Sequence, residues 1–432
     1  MYRNAMSELV DWKAGKSRKP LMVTGARQVG KTWLLKEFGR LHFNSVAYVL
    51  MVDNQRMQRL FTNTSDARTL ISGLEAEVGF SISPTETLIV LDEVQEVPGA
   101  ISALKHFCEQ VPEYHIVVAG SMLGVALHTG ISFPVGKVDS LTIYPMTFSE
   151  FVRAVKNDQY ATILEDNNQA LGSSFHDSFN ELLKQYLLVG GMPEVVCNYA
   201  DSRDYHEARS VQKQIVADYE RDFSKYAPVQ LVPRIRMVWN SLPSQLAREN
   251  KKFIYGAIKH GARAKDFELA IQWLIDAGII LRVQRVGKVG APLKHYEDPS
   301  AFKLFLVDVG LLGALSNLEP RIVLEDDKLF VEFKGAYTEQ YVAEQLVAAK
   351  LPLYYFSSDD AKTEVDFVTE IKGRLIPIEV KSATNLHSKS LTYFVNKHGI
   401  EQAVKFSLLE GKQNQIIWNV PLYLAEHIEM RL

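Results

Sequence analysis

The chain has 432 residues, more than a single ordinary hydrophobic core serves, and this length predicts about two to four domains. Apolar residues make up 47% and charged residues 23%, the balance of a water-soluble globular protein. The net charge of −3 excludes a uniformly basic nucleic-acid coat, so any DNA-binding surface must come from local segregation of charge. No apolar run approaches the ~18 residues that span a bilayer, and the first twenty residues lack a signal-peptide core, so no membrane partner is expected. Cys108 and Cys197 lack metal-site spacing and read as buried free thiols; a cytoplasmic location is expected.

In chain order, the first strong signal is the apolar run Leu21–Thr24 followed by Gly25-Ala26-Arg27-Gln28-Val29-Gly30-Lys31-Thr32 and a helical stretch from Trp33. Strand, glycine loop and helix are the context of a P-loop. Gly25 and Gly30 let the backbone curl so that the N–H groups of the segment through Trp33 face phosphates. The helix N-terminus adds its positive end, Lys31 reaches the β- and γ-phosphates of ATP, and Thr32 offers a hydroxyl to Mg²⁺. The second signal is Thr87–Leu91, a buried strand ending in Asp92-Glu93. Asp92 suits an Mg²⁺ ligand through water, and Glu93 a general base for the attacking water; the pair also suits a cap on the next helix. The third is the strand from His115 to Ala119 ending in Gly120-Ser121. Ser121 reads equally as a sensor of the γ-phosphate or as a turn serine.

These three signals resemble an AAA-type ATPase. Three further segments sharpen the resemblance: Ser132-Phe133-Pro134-Val135-Gly136-Lys137, Leu141–Phe151, and Tyr186–Glu194 with its Gly190-Gly191-Met192-Pro193 break. Together they are similar to a prokaryotic group of AAA-type ATPases with a C-terminal domain of unknown function, and the likeness covers nearly the whole chain. That group usually has arginine where Lys137 stands. Lysine cannot copy arginine's forked phosphate contact, so no arginine finger is assigned here.

Helical spacing follows over Asp177–Val189 and Tyr205–Phe223, and the Gly-Gly break between them reads first as a plain loop, with a hinge or a tight contact with the nucleotide domain as alternatives. Three more helices are predicted, Arg234–Leu246, Phe253–Lys259 and Lys265–Ala277, then a strand at Ile279–Val283 and a turn at Gly287–Pro292. Three helices and a hairpin are the layout of a winged helix-turn-helix, which the resemblance also implies. Between Lys251 and His295 nine Lys/Arg face three Asp/Glu, a local excess suited to DNA phosphates. Asp266, Glu268 and Asp276 lie on the presumed recognition helix, so contact with partner proteins or self-association stands beside DNA contact. The apolar strand through Lys303–Val307 ends in Asp308, to which no chemistry is assigned.

The last signal joins a helix opening near Gly335 and carrying Glu339, the strand Glu364-Val365-Asp366-Phe367-Val368, a turn at Lys372-Gly373-Arg374, and Ile376–Ser382. Period-2 geometry puts Glu379 and Lys381 on one face, with Asp366 on the neighbouring strand. This Glu…Asp…Glu-x-Lys order resembles the restriction-endonuclease-like fold. The resemblance implies that Asp366 and Glu379 bind Mg²⁺, with Glu339 as an outer ligand, and that Lys381 positions water or balances charge. Alternating charge also describes any half-exposed strand. The expected architecture is therefore α/β: a P-loop NTPase parallel sheet (1–170), a helical extension (171–224), a winged-helix-like module (225–315) and a restriction-endonuclease-like α/β domain (316–432). The expected function is ATP binding and hydrolysis with a C-terminal domain that binds or cleaves DNA; the alternative is a nucleotide-gated protein-interaction switch whose C-terminal domain is catalytically silent.

Overall fold

A computed structural model of the chain describes residues 1–121, 124, 134–166, 169–248, 251–324, 331–358, 363–382, 388–414 and 416–432. The chain divides into two units: 1–144 with 276–279, and 145–275 with 280–432.

The first unit contains α1 (Ala5–Ala14), β1 (Leu21–Thr24), α2 (Lys31–His42), β2 (Ser45–Leu50), α3 (Gln55–Asn63), α4 (Ala67–Val78), β3 (Thr87–Asp92), α5 (Pro98–Gln110), β4 (His115–Ala119) and β5 (Asp139–Thr142). The five strands are parallel in the order β2-β3-β4-β1-β5. β3 and β4 are buried along their whole length, which is why they read as unbroken apolar runs. Ile89, Leu91 and Ile116 pack with Met57, Leu70, Leu104 and Phe107 from the covering helices. Because β1 lies between β4 and β5, with β3 beyond β4, the ends of β1, β3 and β4 open on one crevice. This sheet has the P-loop NTPase architecture.

The second unit begins with a helical array: α6 (Phe148–Val155), α7 (Asp158–Glu165), α8 (Gln169–Ser174), α9 (His176–Val189), α10 (Pro193–Ser202), α11 (Tyr205–Tyr226), α12 (Val232–Leu246), α13 (Tyr255–Ile258) and α14 (Ala264–Asp276). It continues through β6 (Ile280–Val286), β7 (Glu297–Leu306), α15 (Val309–Leu315), α16 (Pro320–Leu324), α17 (Val331–Ala348), β8 (Tyr354–Ser357), β9 (Glu364–Ile371), β10 (Arg374–Val380), α18 (Lys389–His398), β11 (Ala403–Ser407), β12 (Lys412–Asn414), β13 (Ile417–Pro421) and α19 (Ile428–Arg431). Its mixed sheet has the order β12-β13-β11-β10-β9-β8-β6-β7. The turn predicted at 372–374 is a two-residue hairpin: Arg374 pairs with Ile371, and Lys372 and Gly373 have φ of 50° and 75°.

Several expected boundaries differ. The expected division near residue 170 falls at 144/145, inside the Leu141–Phe151 segment. The one expected at 315/316 is spanned by a ladder, because β6 pairs in parallel with β8, Gln284 opposite Tyr354. The helix expected over Phe253–Lys259 shrinks to Tyr255–Ile258. Gln245 holds Ile254 in extended geometry, donating to its carbonyl at 2.9 Å and accepting from its N–H at 3.1 Å. The cysteines are free but not buried: Cys197 is exposed and Cys108 half-buried. On α10 it is Val195, Val196 and Tyr199 that point inward, leaving Cys197 on the solvent side. No described helix is long and apolar enough to cross a membrane.

Candidate active site

The P-loop leaves β1 and enters α2 through Gly30, whose φ of 89° only glycine adopts without strain. At Gly25 (φ 137°) a Cβ would lie 2.2 Å from the carbonyl oxygen of Ile143, so the loop's first turn packs flush against the chain after β5. Gln28 also takes a left-handed φ of 66°. Ala26 and Val29 are buried under the loop, Arg27 and Trp33 are exposed, and Lys31 is buried. Lys31 Nζ donates to the carbonyls of Gly25 and Ala26 at 2.8 and 2.7 Å. Burial lowers its pKa to about 8 against the upward pull of Glu93 and Asp92.

The three strand-end signals converge. Thr32 Oγ1 donates to Asp92 Oδ2 at 2.6 Å. Glu93 follows in the left-handed region at φ 52°, a conformation that costs a non-glycine residue about 1–3 kcal/mol and concentrates at functional sites. Its carboxylate accepts from Gln95 Nε2 at 2.5 Å and from Ser121 Oγ at 3.2 Å. Ser121 is buried and reaches Glu93 because β4 runs beside β3, Asp92 opposite Ala119.

Two contributors carry no sequence motif. Tyr48 on β2 donates its hydroxyl to Asp92 Oδ2 at 2.8 Å. Buried Arg3 donates to the P-loop carbonyl of Val29 at 2.8 Å and to that of Tyr144 at 2.6 Å. Lys137, at the position of the expected family arginine, pairs at the surface with Glu109 at 2.8 Å; residues 132 and 133 of that segment lie outside the described residues.

In the second unit the C-terminal constellation also assembles. Lys381 Nζ lies 2.6 Å from Glu379 Oε1, and Asp366 Oδ2 accepts from the N–H of Val380 at 2.8 Å. Asp366 stands one step beyond the Ile378–Phe367 pair, beside Glu379. Burial, then Glu339 and Glu379, push the Asp366 carboxyl up to about 8. Glu339, buried on α17, accepts from Lys251 and is held below the usual carboxylate range by Lys251, Lys303 and Lys381 against the opposing effect of burial. Lys303 on β7 is 1% exposed and lies 2.7 Å from Glu364 Oε1 and 3.8 Å from Glu339 Oε2. Among the described residues no group of three or more His, Cys, Asp or Glu side chains is arranged to hold a metal ion.

Two further sequence segments meet around Asp308. Its carboxylate accepts from the N–H of Gly191 at 2.6 Å and from that of Leu311 at 2.9 Å, the latter as the cap of α15. A Cβ at Gly190 would lie 2.4 Å from Asp308 Oδ1, which explains the Gly-Gly break. Met146 N donates to Gly191 O at 2.6 Å, so Leu141–Phe151 joins the same knot. The break is neither the plain loop nor the contact with the nucleotide domain that the sequence suggested: it packs on Asp308 and Met146 of its own unit.

Comparison with known families agrees with the first unit. Residues 17–152 match the family model described as an AAA domain. The chain carries an AAA-type P-loop ATPase domain. Residues 180–322 and 334–424 match two models described only as domains of unknown function, DUF8612 and DUF4143. No curated protein matches the chain. Among solved structures it is similar to the Walker-type ATPase PABY2304 of Pyrococcus abyssi (13% identity, TM-score 0.45, 73% of this chain and 95% of that one). It is also similar to the Orc1 protein of Aeropyrum pernix, solved in complex with DNA (13% identity, TM-score 0.29, 74% and 93%). Cdc6p of Pyrobaculum aerophilum is a third (12% identity, TM-score 0.28, 74% and 93%).

Proposed function

We propose that the AAA-type domain binds ATP with Mg²⁺ and hydrolyses it. The observation that carries this reading is the convergence of Lys31, the Thr32–Asp92 pair and the Ser121–Glu93 pair at the carboxyl ends of three neighbouring strands. Thr32 Oγ1 and Asp92 Oδ2 are hard oxygen donors at one point beside Lys31, a set that fits Mg²⁺. Mg²⁺ bound there would neutralise charge on the β- and γ-phosphate oxygens. The N–H groups of Gly25 through Trp33 cradle the phosphates, and Lys31 exchanges its carbonyl partners for phosphate oxygens. Glu93, oriented by Ser121 and Gln95, accepts the proton of the attacking water. Lys31→Ala is expected to abolish tight ATP binding in a calorimetric titration. Unchanged binding sinks the assignment.

We infer that ATP turnover governs a DNA-contacting second unit. Arg263 and Lys265 are exposed at the start of α14, and Lys288 and Lys294 are exposed between β6 and β7. On a winged-helix reading these residues would stand on the recognition helix and the wing, a placement that supports phosphate contact. Fluorescence anisotropy at low salt should show duplex DNA binding that weakens in Arg263→Ala/Lys265→Ala. Absence of binding with and without ATP removes this reading. Leu269, 70% exposed on α14, favours a second one, a protein partner seated on that helix. A stoichiometric complex lost in Leu269→Asp would select it. The approach of Glu339, Asp366, Glu379 and Lys381 supports a restriction-endonuclease-like fold.

A further inference from the structure

The carboxylates that a nuclease-like fold would offer to a divalent cation are already compensated by side chains of this chain. A divalent cation of the Mg²⁺ or Mn²⁺ kind needs several oxygen lone pairs turned toward one point. Here one oxygen of each of Glu339, Glu364 and Glu379 meets an ammonium group and one oxygen of Asp366 a backbone N–H, while the second oxygen of Glu339 makes no hydrogen bond and has Lys303 as its counter-charge at 3.8 Å. Lys303 reaches in from β7 and contacts Glu364 and Glu339 at 2.7 and 3.8 Å, with its Nζ 4.9 Å from the ring centre of Tyr355. At 1% exposure it has no solvent into which to withdraw. Lys251 takes the other oxygen of Glu339, and its side chain is only 12% exposed. Lys381 holds Glu379 at 2.6 Å, and the N–H of Val380 holds Asp366 at 2.8 Å.

We propose that Lys303, seconded by Lys251, stands in place of the divalent cation, so that the C-terminal cluster is a metal-independent internal charge network that does not cleave phosphodiesters. An ammonium group satisfies buried carboxylates electrostatically but has no open coordination position for a phosphate oxygen and generates no hydroxide from bound water. The four carboxylates Glu339, Glu364, Asp366 and Glu379 face three lysines, so little uncompensated negative charge remains to draw a cation in. The inference rests on the nuclease-like reading of the cluster and is independent of whether the second unit binds DNA.

The experiment is a Mn²⁺ titration of the full, nucleotide-free chain, with free Mn²⁺ followed by electron paramagnetic resonance. Wild type and Asp366→Asn are compared. The expected result is superimposable curves. One additional Mn²⁺ bound by wild type and lost in Asp366→Asn overturns the proposal, whatever the outcome of the DNA measurements. A second arm uses Lys303→Met, which removes the ammonium and leaves Glu339 and Glu364 to accept a metal. Its Tm is expected to rise on adding Mn²⁺ while that of wild type does not. A Tm in Lys303→Met no more responsive than wild type also overturns it. If that variant fails to fold, the comparison of wild type with Asp366→Asn decides.

Discussion

Each unit of this protein buries a lysine among carboxylates, and the two lysines do opposite things. Lys31 sits near Asp92 and Glu93, yet its ammonium donates to the neutral carbonyls of Gly25 and Ala26. Its charge is held in place without being cancelled, and burial pulls its pKa down to about 8. Lys303 ends on the carboxylates of Glu364 and Glu339, and those charges hold its pKa above the ordinary lysine value despite full burial. A lysine aimed at carbonyls remains available to an incoming anion; one aimed at carboxylates already has its counterions. Burial and charge therefore do not by themselves mark a ligand site. What marks it is the polarity of the atoms that the buried group touches.

The largest effect expected from breaking this contrast is catalytic. Glu93→Gln removes the base but keeps a side chain that Ser121 and Gln95 can hold. ATP turnover should fall about 10²–10⁴-fold in a coupled phosphate-release assay while ATP binding persists. The next effect is on stability. Lys303→Met leaves Glu364 without its ammonium and Glu339 with Lys251 alone, and should cost up to about 3–5 kcal/mol in urea unfolding of the full chain. Lys31→Met removes a desolvated charge whose hydrogen bonds end on carbonyls and should cost much less; equal costs would erase the distinction. Asp308→Ala leaves the N–H groups of Gly191 and Leu311 without their acceptor and should cost about 2–4 kcal/mol, with Asp308→Asn milder.

The smallest effect is a pH dependence. The folded pKa of Lys31 lies below its ordinary value, so the free site loses its ammonium as pH rises through about 8. Phosphate binding favours the charged form and so takes up a proton above that pH. Affinity for ATP should be flat below pH 8 and then fall by up to about tenfold per unit, with proton uptake visible as a buffer-dependent heat. The stability contribution has the matching sign. The strain of a buried ammonium is fully present below about pH 8 and is relieved as pH rises toward the unfolded value. An affinity independent of pH between 7 and 9, roughly the window around that pKa, would show Lys31 to be ordinarily solvated.

The convergence of the candidate nucleotide-site residues was largely legible because the signals are local. Eight consecutive residues build the loop, and Asp92, Glu93 and Ser121 follow short apolar runs that the structure shows as the buried strands β3 and β4. The hairpin behind Asp366 and Glu379 was legible for the same reason, since Lys372-Gly373 is a turn before any partner is known. What escaped depends on residues far apart in the chain. Lys251 and Glu339 are 88 positions apart, with no periodic pattern joining them. Lys303 opens an apolar strand to which the sequence assigned no chemistry, yet it is 1% exposed. Tyr48 and Arg3 were missed likewise, because a hydroxyl or guanidinium that completes a site from another strand or helix leaves no spacing rule behind. The shortened α13 shows the converse: helical spacing was present, but the side chain of Gln245 holds Ile254 extended.

Arg3 has a mechanical consequence. One planar guanidinium grips the carbonyl of Val29 in the P-loop with one nitrogen and that of Tyr144 with another. The fork is rigid, so the two carbonyls are tied at a fixed separation, and neither shifts without stretching a bond or carrying the other along. Tyr144 is also the last residue of the first unit before the chain passes to Pro145. Arg3 thus makes the P-loop and the last residue of its own unit one mechanical piece.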